Sequence, residues 1–360
     1  MDRGIAPSLF FSRPRLELFA FAGAGLLVLG LLVPYLLWGE PALGPIFGAH
    51  VVLLSLPHHF LTIASMAPKG VQKGLRKDLV ALALGAAILV SLASAGWADS
   101  GVGRFAGTAI GLLSVWHIYR QHLGICRVYD AVQSRRNADT TVFRDRRFAD
   151  AFLGLGSFGM VVWLFTHKDL AWENGGGRLF VPLYPRIPDF AFKAYLVVVG
   201  ILFVLAVAQS VVLRARRKRP VPWPQLAIIA SAVVTNNALF LVVPPKATLL
   251  VVTAASSAHI VQYFVFVWLF ERQRAAVLAD AGERLPLSHA LVHKGQYVRW
   301  AALALGYSLL LMGVFALRPK DVGVFTLTLS NVFHYLVDGV VWRRGYSPTV
   351  GPAVARLSQQ

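Results

Sequence analysis

The sequence predicts an all-α fold: a polytopic transmembrane helix bundle of about ten spans, with the N- and C-termini cytoplasmic. Three observations carry that expectation. Of the 360 residues, 56% are hydrophobic and 14% charged, whereas soluble domains carry roughly a quarter charged residues. The apolar residues gather in ten runs, near 16–38, 42–66, 78–98, 104–126, 150–167, 189–213, 224–243, 247–270, 299–317 and 322–342. Each has the ~20 residues that cross about 30 Å of hydrocarbon as a helix. The positive charge is sorted. With the N-terminus inside, about 26 of the 35 Lys and Arg lie on or beside the cytoplasmic face, in stretches such as "KGVQKGLRK", "FRDRR" and "RARRKRP", the bias that orients membrane proteins.

The same features exclude other classes. The net charge of +18 is a topology signal with some attraction to anionic lipid, so no nucleic-acid partner is expected. Alternating strand patterns are absent, which argues against a β-barrel. Cys126 is the single cysteine and rules out an internal disulfide and any cysteine-based zinc or iron–sulfur site. The first run is followed by further spans and not by a small-residue cleavage site, so it reads as a retained helix. Residues 1–360 form one integral domain of a bacterial-type inner membrane, with cytoplasmic loops at 127–149 and 271–298 and an external loop at 168–188.

Histidine is distributed with a rule. Apart from His167 at the outer end of span 5, in-membrane histidine occupies spans 2, 4, 8 and 10, in "GAHVVLLSLPHHFLT", "VWHIYRQHLGI", "SSAHIVQYFVFVW" and "NVFHYLVDGVVWR". All four spans run from outside to inside, and each cluster precedes the cytoplasmic basic residues by about 5–13 positions. At 1.5 Å per residue these groups share one layer in the cytoplasmic half of the bilayer, with His50 higher.

Spacing within each span selects candidates. His334 and Asp338, at i and i+4, share a helix face. An ionisable residue inside a span needs a partner or a function, so Asp338 either ligates a metal or orients a ligand. His259, Gln262 and Tyr263 share a second face. His58 and His59 point about 100° apart, and Pro57 frees a backbone carbonyl before them. His117 has Arg120 and Gln121 one turn below, while His122 lies about 140° around the helix from His117. Arg120 needs an anion: Asp338, a lipid head group or substrate. The packing alternative is that Arg120 and His122 snorkel to the interface. His289 and His293, i and i+4 in "SHALVHKG", form a separate spacing on a cytoplasmic interface helix that either stays solvated or folds over the centre. His58, His59, His117, His122, His259, His334 and Asp338 are therefore the expected metal residues. An imidazole-rich, thiolate-free set suits iron, zinc or copper.

The segments "LPHHF", "WHIYRQH" and "VFHYLVDG" resemble motifs of the bacterial retinal-forming β-carotene dioxygenases, with His58, His117, His122, His334 and Asp338 at the matching positions. His59 stands where that family has glycine, Thr62 where it has aspartate, and His117 and His122 are five apart where the family has four. The resemblance implies a multi-span, iron-dependent membrane oxygenase. The HxxxH and HxxHH boxes of the diiron desaturases are absent from the spans.

The expected function is a histidine-ligated, metal-dependent membrane enzyme, foremost an Fe(II) oxygenase. Its substrate would be lipid-soluble, a carotenoid, sterol or acyl chain, drawn from the cytoplasmic leaflet, with Tyr263, Gln262 and Arg120 as catalytic residues. The rivals are a zinc lipid hydrolase, a bis-histidine haem protein, and a transporter using Arg120, Asp338, Asn236 and Asn237.

Overall fold

The computed structural model describes residues 14–93, 100–136, 146–166, 187–217, 222–237, 248–317, 320–341 and 348–359. Every regular element among them is helical: α1 (Pro14–Trp38), α2 (Leu43–His50), α3 (Leu56–Ser65), α4 (Lys69–Ala93), α5 (Gly101–Arg136), α6 (Arg147–Gly156), α7 (Gly159–Thr166), α8 (Phe190–Arg217), α9 (Trp223–Asn237), α10 (Thr248–Asp280), α11 (Leu287–His293), α12 (Tyr297–Leu317), α13 (Lys320–Val341) and α14 (Val350–Gln359). A short 3₁₀ turn precedes α2, and a π-helical turn, Val51–Ser55, joins α2 to α3.

Five described segments are long and apolar enough to cross a membrane: Arg15–Trp38, Glu40–Ser65, Phe190–Val212, Leu250–Asp280 and Tyr297–Val314. The expected span near 104–126 lies within α5, and most of that near 322–342 within α13. Both helices turn polar side chains inward, which dilutes their hydropathy. The expected span at 150–167 is divided at Ser157 and Phe158 into α6 and α7. A Cβ on Gly156 would stand 2.6 Å from the Val233 side chain, and one on Gly159 only 2.7 Å from the Asn236 carbonyl, so both glycines permit the break to press against α9. Asn237 Nδ2 donates to the Gly156 carbonyl at 2.7 Å, capping α6.

Two segments expected as loops begin as helix. The stretch from 127 continues α5 to Arg136, and that from 271 continues α10 to Asp280 before α11. Most of 168–188 lies outside the described residues, as does His167.

α10 is the axis. It packs on α1 and α9 on one side and on α3 and α5 on the other, while α13 touches α3, α4 and α5. Lipid is as apolar as the core, so packing and buried hydrogen bonds hold such a bundle. Tyr129 donates to the buried Glu17 at 2.5 Å, tying α5 to α1. At one end, Arg146 reaches Asp130 at 2.5 Å and Asp150 at 3.3 Å, while Arg127 meets Asp150 at 2.6 Å. This network clamps α6 to α5. Arg136 Nη2 donates to the Leu357 carbonyl at 2.7 Å, a cation on the C-terminus of α14.

Candidate metal centre

The site begins with a local irregularity. Pro57 has no N–H, and its ring crowds the carbonyl four residues back. The π turn over Val51–Ser55 widens the helix ahead of that point, and Ser308 Oγ on α12 donates to the Val52 carbonyl at 2.7 Å. Turns of this kind recur at functional sites. Here the turn precedes His58 and His59, both of which are buried.

α3, α5, α10 and α13 bring six histidines together. The His58 ring lies 4.5 Å from His334, 5.0 Å from His259 and 6.0 Å from His117, centroid to centroid. His117 stands 4.6 Å from His334 and 5.4 Å from His259. His59 stacks on His334 at 4.9 Å, and His122 flanks His259 at 5.8 Å. One nitrogen from each of His58, His117 and His334 falls within 4.8 Å of the other two.

The hydrogen bonds assign the tautomers around this trio. Thr62 Oγ1 donates its only proton to Asp338 Oδ1 at 3.1 Å, so it must accept from His334 Nδ1 at 2.8 Å. The lone pair of His334 therefore sits on Nε2, which is 3.1 Å from His117 Nε2. The other nitrogen of His117, Nδ1, faces Asp338 Oδ2 at 3.9 Å, on the side where a carboxylate favours N–H. At 3.1 Å the two nitrogens are either joined by an N–H···N hydrogen bond from His117 to His334 or, with the His117 proton on Nδ1, both turn lone pairs toward a bound cation. Adjacent nitrogen ligands of one ion at about 2.1 Å stand roughly 3.0–3.4 Å apart, so the spacing fits a metal. Nδ1 of His58 and Nδ1 of His259 are buried without a hydrogen-bond partner, a loss of about 1–3 kcal/mol each that a bound ion or its ligand would relieve. Cys126 lies buried among apolar residues, leaving neutral imidazoles as the donor set, as iron, zinc or copper prefer.

Asp338 is the hub of the surroundings, and of its two expected roles the contacts fit the one that orients a ligand. Oδ1 accepts from Tyr263 at 2.6 Å and from Thr62 at 3.1 Å; Oδ2 accepts from Gln121 at 3.0 Å. Its lone pairs are directed at those donors, and its position is that of a carboxylate orienting metal-bound histidines. Tyr263 is thus held against Asp338, within 4.7 Å of the His58 ring. Gln121 Nε2 also reaches His58 Nε2 at 3.4 Å.

Three other expected residues have different partners. His122 has Nδ1 2.7 Å from the Ile118 carbonyl and Nε2 2.7 Å from Gln262 Oε1, so both nitrogens face partners other than the trio. Gln262 spends its amide N–H on the Phe21 carbonyl at 3.0 Å and fixes His122 against α1. Arg120 is exposed, 5.8 Å above the Trp116 ring, and forms no ion pair with a described residue. It is on the outer face of α5, which corrects the expectation that it serves the site beside Asp338. His59 Nδ1 contacts Ser330 Oγ at 2.9 Å beside a cavity of about 30 Å³ lined by Thr62, Ile63, Tyr307, Phe333 and His334. That volume holds about one water-sized molecule. His50 contacts Ser257 at 2.8 Å.

Two residues that hold Asp338 were marked in the sequence without that role: Gln121 by its i+4 spacing from His117, and Thr62 as the position where the resembled family has aspartate. A second buried cluster joins Ser65, at the end of the expected span 42–66, to Glu271, Arg274 and His289, which lie in the stretch 271–298 expected as a cytoplasmic loop. His289 Nε2 lies 2.9 Å from Glu271 Oε2, so it does not close over the histidines. Asn236 and Asn237 donate to the Ala232 and Gly156 carbonyls at 2.7 Å, which gives them structural partners.

Fold and site together define a helical protein with membrane-type spans and a buried, metal-capable histidine centre. No protein-family model matches the chain, and no curated protein and no solved structure matches it.

Proposed function

We propose that the protein is a ten-span, metal-dependent enzyme of the cytoplasmic membrane with both termini inside, and that it is an iron oxygenase acting on a lipid-soluble substrate. The observation that carries this reading is the buried trio His58, His117 and His334, with one nitrogen of each within 4.8 Å of the others and the Nε2 atoms of His117 and His334 3.1 Å apart. His58, His117 and His334 would hold the ion, and His259 stands next to them with a spare nitrogen. Bound iron would supply redox chemistry with dioxygen at positions the protein leaves open. The chain itself does the rest. Asp338 fixes His117 and, through Thr62, His334. Tyr263 keeps a hydroxyl beside the trio, and the surrounding helices exclude bulk water. The cavity is the size of water or dioxygen and smaller than a lipid chain, so a carotenoid, sterol or acyl chain would approach from the bilayer side, where Ile63 is exposed. The resemblance of "LPHHF", "WHIYRQH" and "VFHYLVDG" to the retinal-forming dioxygenases favours a polyene.

A zinc hydrolase is the second reading, favoured by the count of three histidines, the number that leaves a fourth tetrahedral position for water. Elemental analysis and an optical spectrum of the purified protein decide. Stoichiometric iron without a haem band, lost in His117→Ala and His334→Ala, is the expected result. Zinc selects the hydrolase. Protein that is folded but binds no transition metal overturns both.

A further inference from the structure

A small cavity of about 30 Å³ lies between α3, α12 and α13. His59, Thr62 and His334 form its inner wall and are buried. Ile63, Tyr307, Ser330 and Phe333 form its outer wall and are exposed or partly so. Leu310, about one turn beyond Tyr307 on α12, is 67% exposed, so the outer wall belongs to an apolar flank of the bundle. The cavity therefore reaches from that flank to the ring of a trio histidine. Its size admits one molecule no larger than water or dioxygen, and the hydrogen bonds separate these two. A buried water needs about two to four polar partners. Here the polar atoms of the wall are already bonded among themselves or to the centre. Ser330 Oγ lies 2.9 Å from His59 Nδ1 and 3.4 Å from the Tyr307 hydroxyl. Thr62 Oγ1 accepts from His334 Nδ1 at 2.8 Å and gives its proton to Asp338. His334 Nε2 faces His117. Most of the remaining lining is apolar, and an apolar gas needs no polar partner there.

We propose that this cavity is a binding site for dioxygen, filled sideways from the hydrocarbon layer. Apolar solutes leave water for an apolar phase, so the bilayer is the richer source of the gas. Ile63 and Phe333 on the outer wall give it an apolar entrance. Dry apolar cavities hold apolar atoms and molecules in the same way. Dioxygen seated there lies against His334, one imidazole ring from the trio nitrogens, and no bond is made or broken on binding. The volume excludes a lipid chain, so a substrate approaching the same flank does not displace the gas. Use of the gas in the reaction rests on the proposed function; the binding itself does not.

The test uses dioxygen itself, which is paramagnetic and speeds the relaxation of nearby nuclei. Threonine methyl groups are labelled in the full chain, and their NMR relaxation is compared under oxygen and under argon. The difference on one sample cancels any constant contribution from a bound metal, and its reversal on return to argon excludes oxidation. Thr62 lines the cavity, whereas Thr253 on α10 is equally buried, at 1% exposure, and does not. Oxygen is expected to speed relaxation at the Thr62 methyl well beyond its effect at Thr253. Ser330→Val fills the cavity with an added methyl group, while His59 keeps its bond to Asn331, and the excess at Thr62 should be lost. An oxygen effect at Thr62 no larger than at Thr253, as a water-filled cavity would give, overturns the site; so does an undiminished excess in folded Ser330→Val. The wild-type comparison decides even where that variant does not fold. Metal content of the same samples reports separately on the proposed function: an oxygen excess at Thr62 in protein that binds no metal keeps the gas site and removes the oxygenase.

Discussion

Thr62→Val tests the tautomer argument at its pivot. Valine matches threonine in shape and removes one hydroxyl. That hydroxyl accepts from His334 Nδ1 at 2.8 Å and donates to Asp338 Oδ1 at 3.1 Å. Asp338 Oδ1 keeps Tyr263 at 2.6 Å, so the carboxylate stays solvated by protein. His334 Nδ1 is left with no acceptor, and its ring is free to change tautomer and place the proton on Nε2, the nitrogen that faces His117. Hydrogen bonds to charged groups contribute about 1.5–3 kcal/mol. Loss of a partner that orients a ligand lowers metal affinity about 10–100-fold, or roughly 1.4–2.7 kcal/mol. The two ranges agree. Zinc and iron affinity of the purified protein, measured by chelator competition, should therefore fall within that range in Thr62→Val and recover in Thr62→Ser. Wild-type affinity in folded Thr62→Val would refute the assignment of His334 Nε2 as the ligating nitrogen.

Three further outcomes follow from the packing. Arg120→Gln should leave metal stoichiometry unchanged, because Arg120 is exposed over Trp116; loss of metal on elemental analysis would return Arg120 to the site. Arg274→Met should destabilise the fold by about 3–5 kcal/mol by leaving Glu271 buried and unpaired, and the double variant with Glu271→Gln should recover most of it. Equal thermal stability of Arg274→Met and wild type would show that the pair is not buried as described. Gly159→Ala should cost about 1–3 kcal/mol, since its Cβ meets the Asn237 side chain and the Asn236 carbonyl; an unaltered unfolding midpoint would contradict the close approach of α7 to α9.

Much of the site was legible because histidine is conspicuous in an apolar chain. Spacing along each span and the sorted basic residues placed His58, His59, His117, His122, His259 and His334 at one depth, and the structure brings those rings together. Their roles were not legible. His117 and His122 are equivalent by composition, but His122 is consumed by Ile118 and Gln262, a carbonyl on its own helix and an amide 140 positions away. Asp338 read as a ligand or as the group that orients one, because its four-residue offset from His334 suits both; what favours the second is the supply of donors from Thr62, Gln121 and Tyr263, on three other helices. Glu271 and Arg274 were hidden because basic residues nearby marked the segment as loop, while α10 carries them inward as a bonded pair.

The sequence by itself determined that the chain is helical and apolar enough for a membrane, which helices bear histidine, and which residues share a face. Rise and rotation per residue are fixed by backbone geometry, so these follow from spacing alone. Only the tertiary structure decided which face of each helix looks inward. In α5, His117 and Gln121 form one stripe and Trp116 and Arg120 the next; the first is buried and the second exposed. In water a hydrophobic stripe would have announced the core. In a bilayer the surroundings are as apolar as the interior, so the periodic signal vanishes, and the inward face is set by partners on other helices that no local pattern specifies.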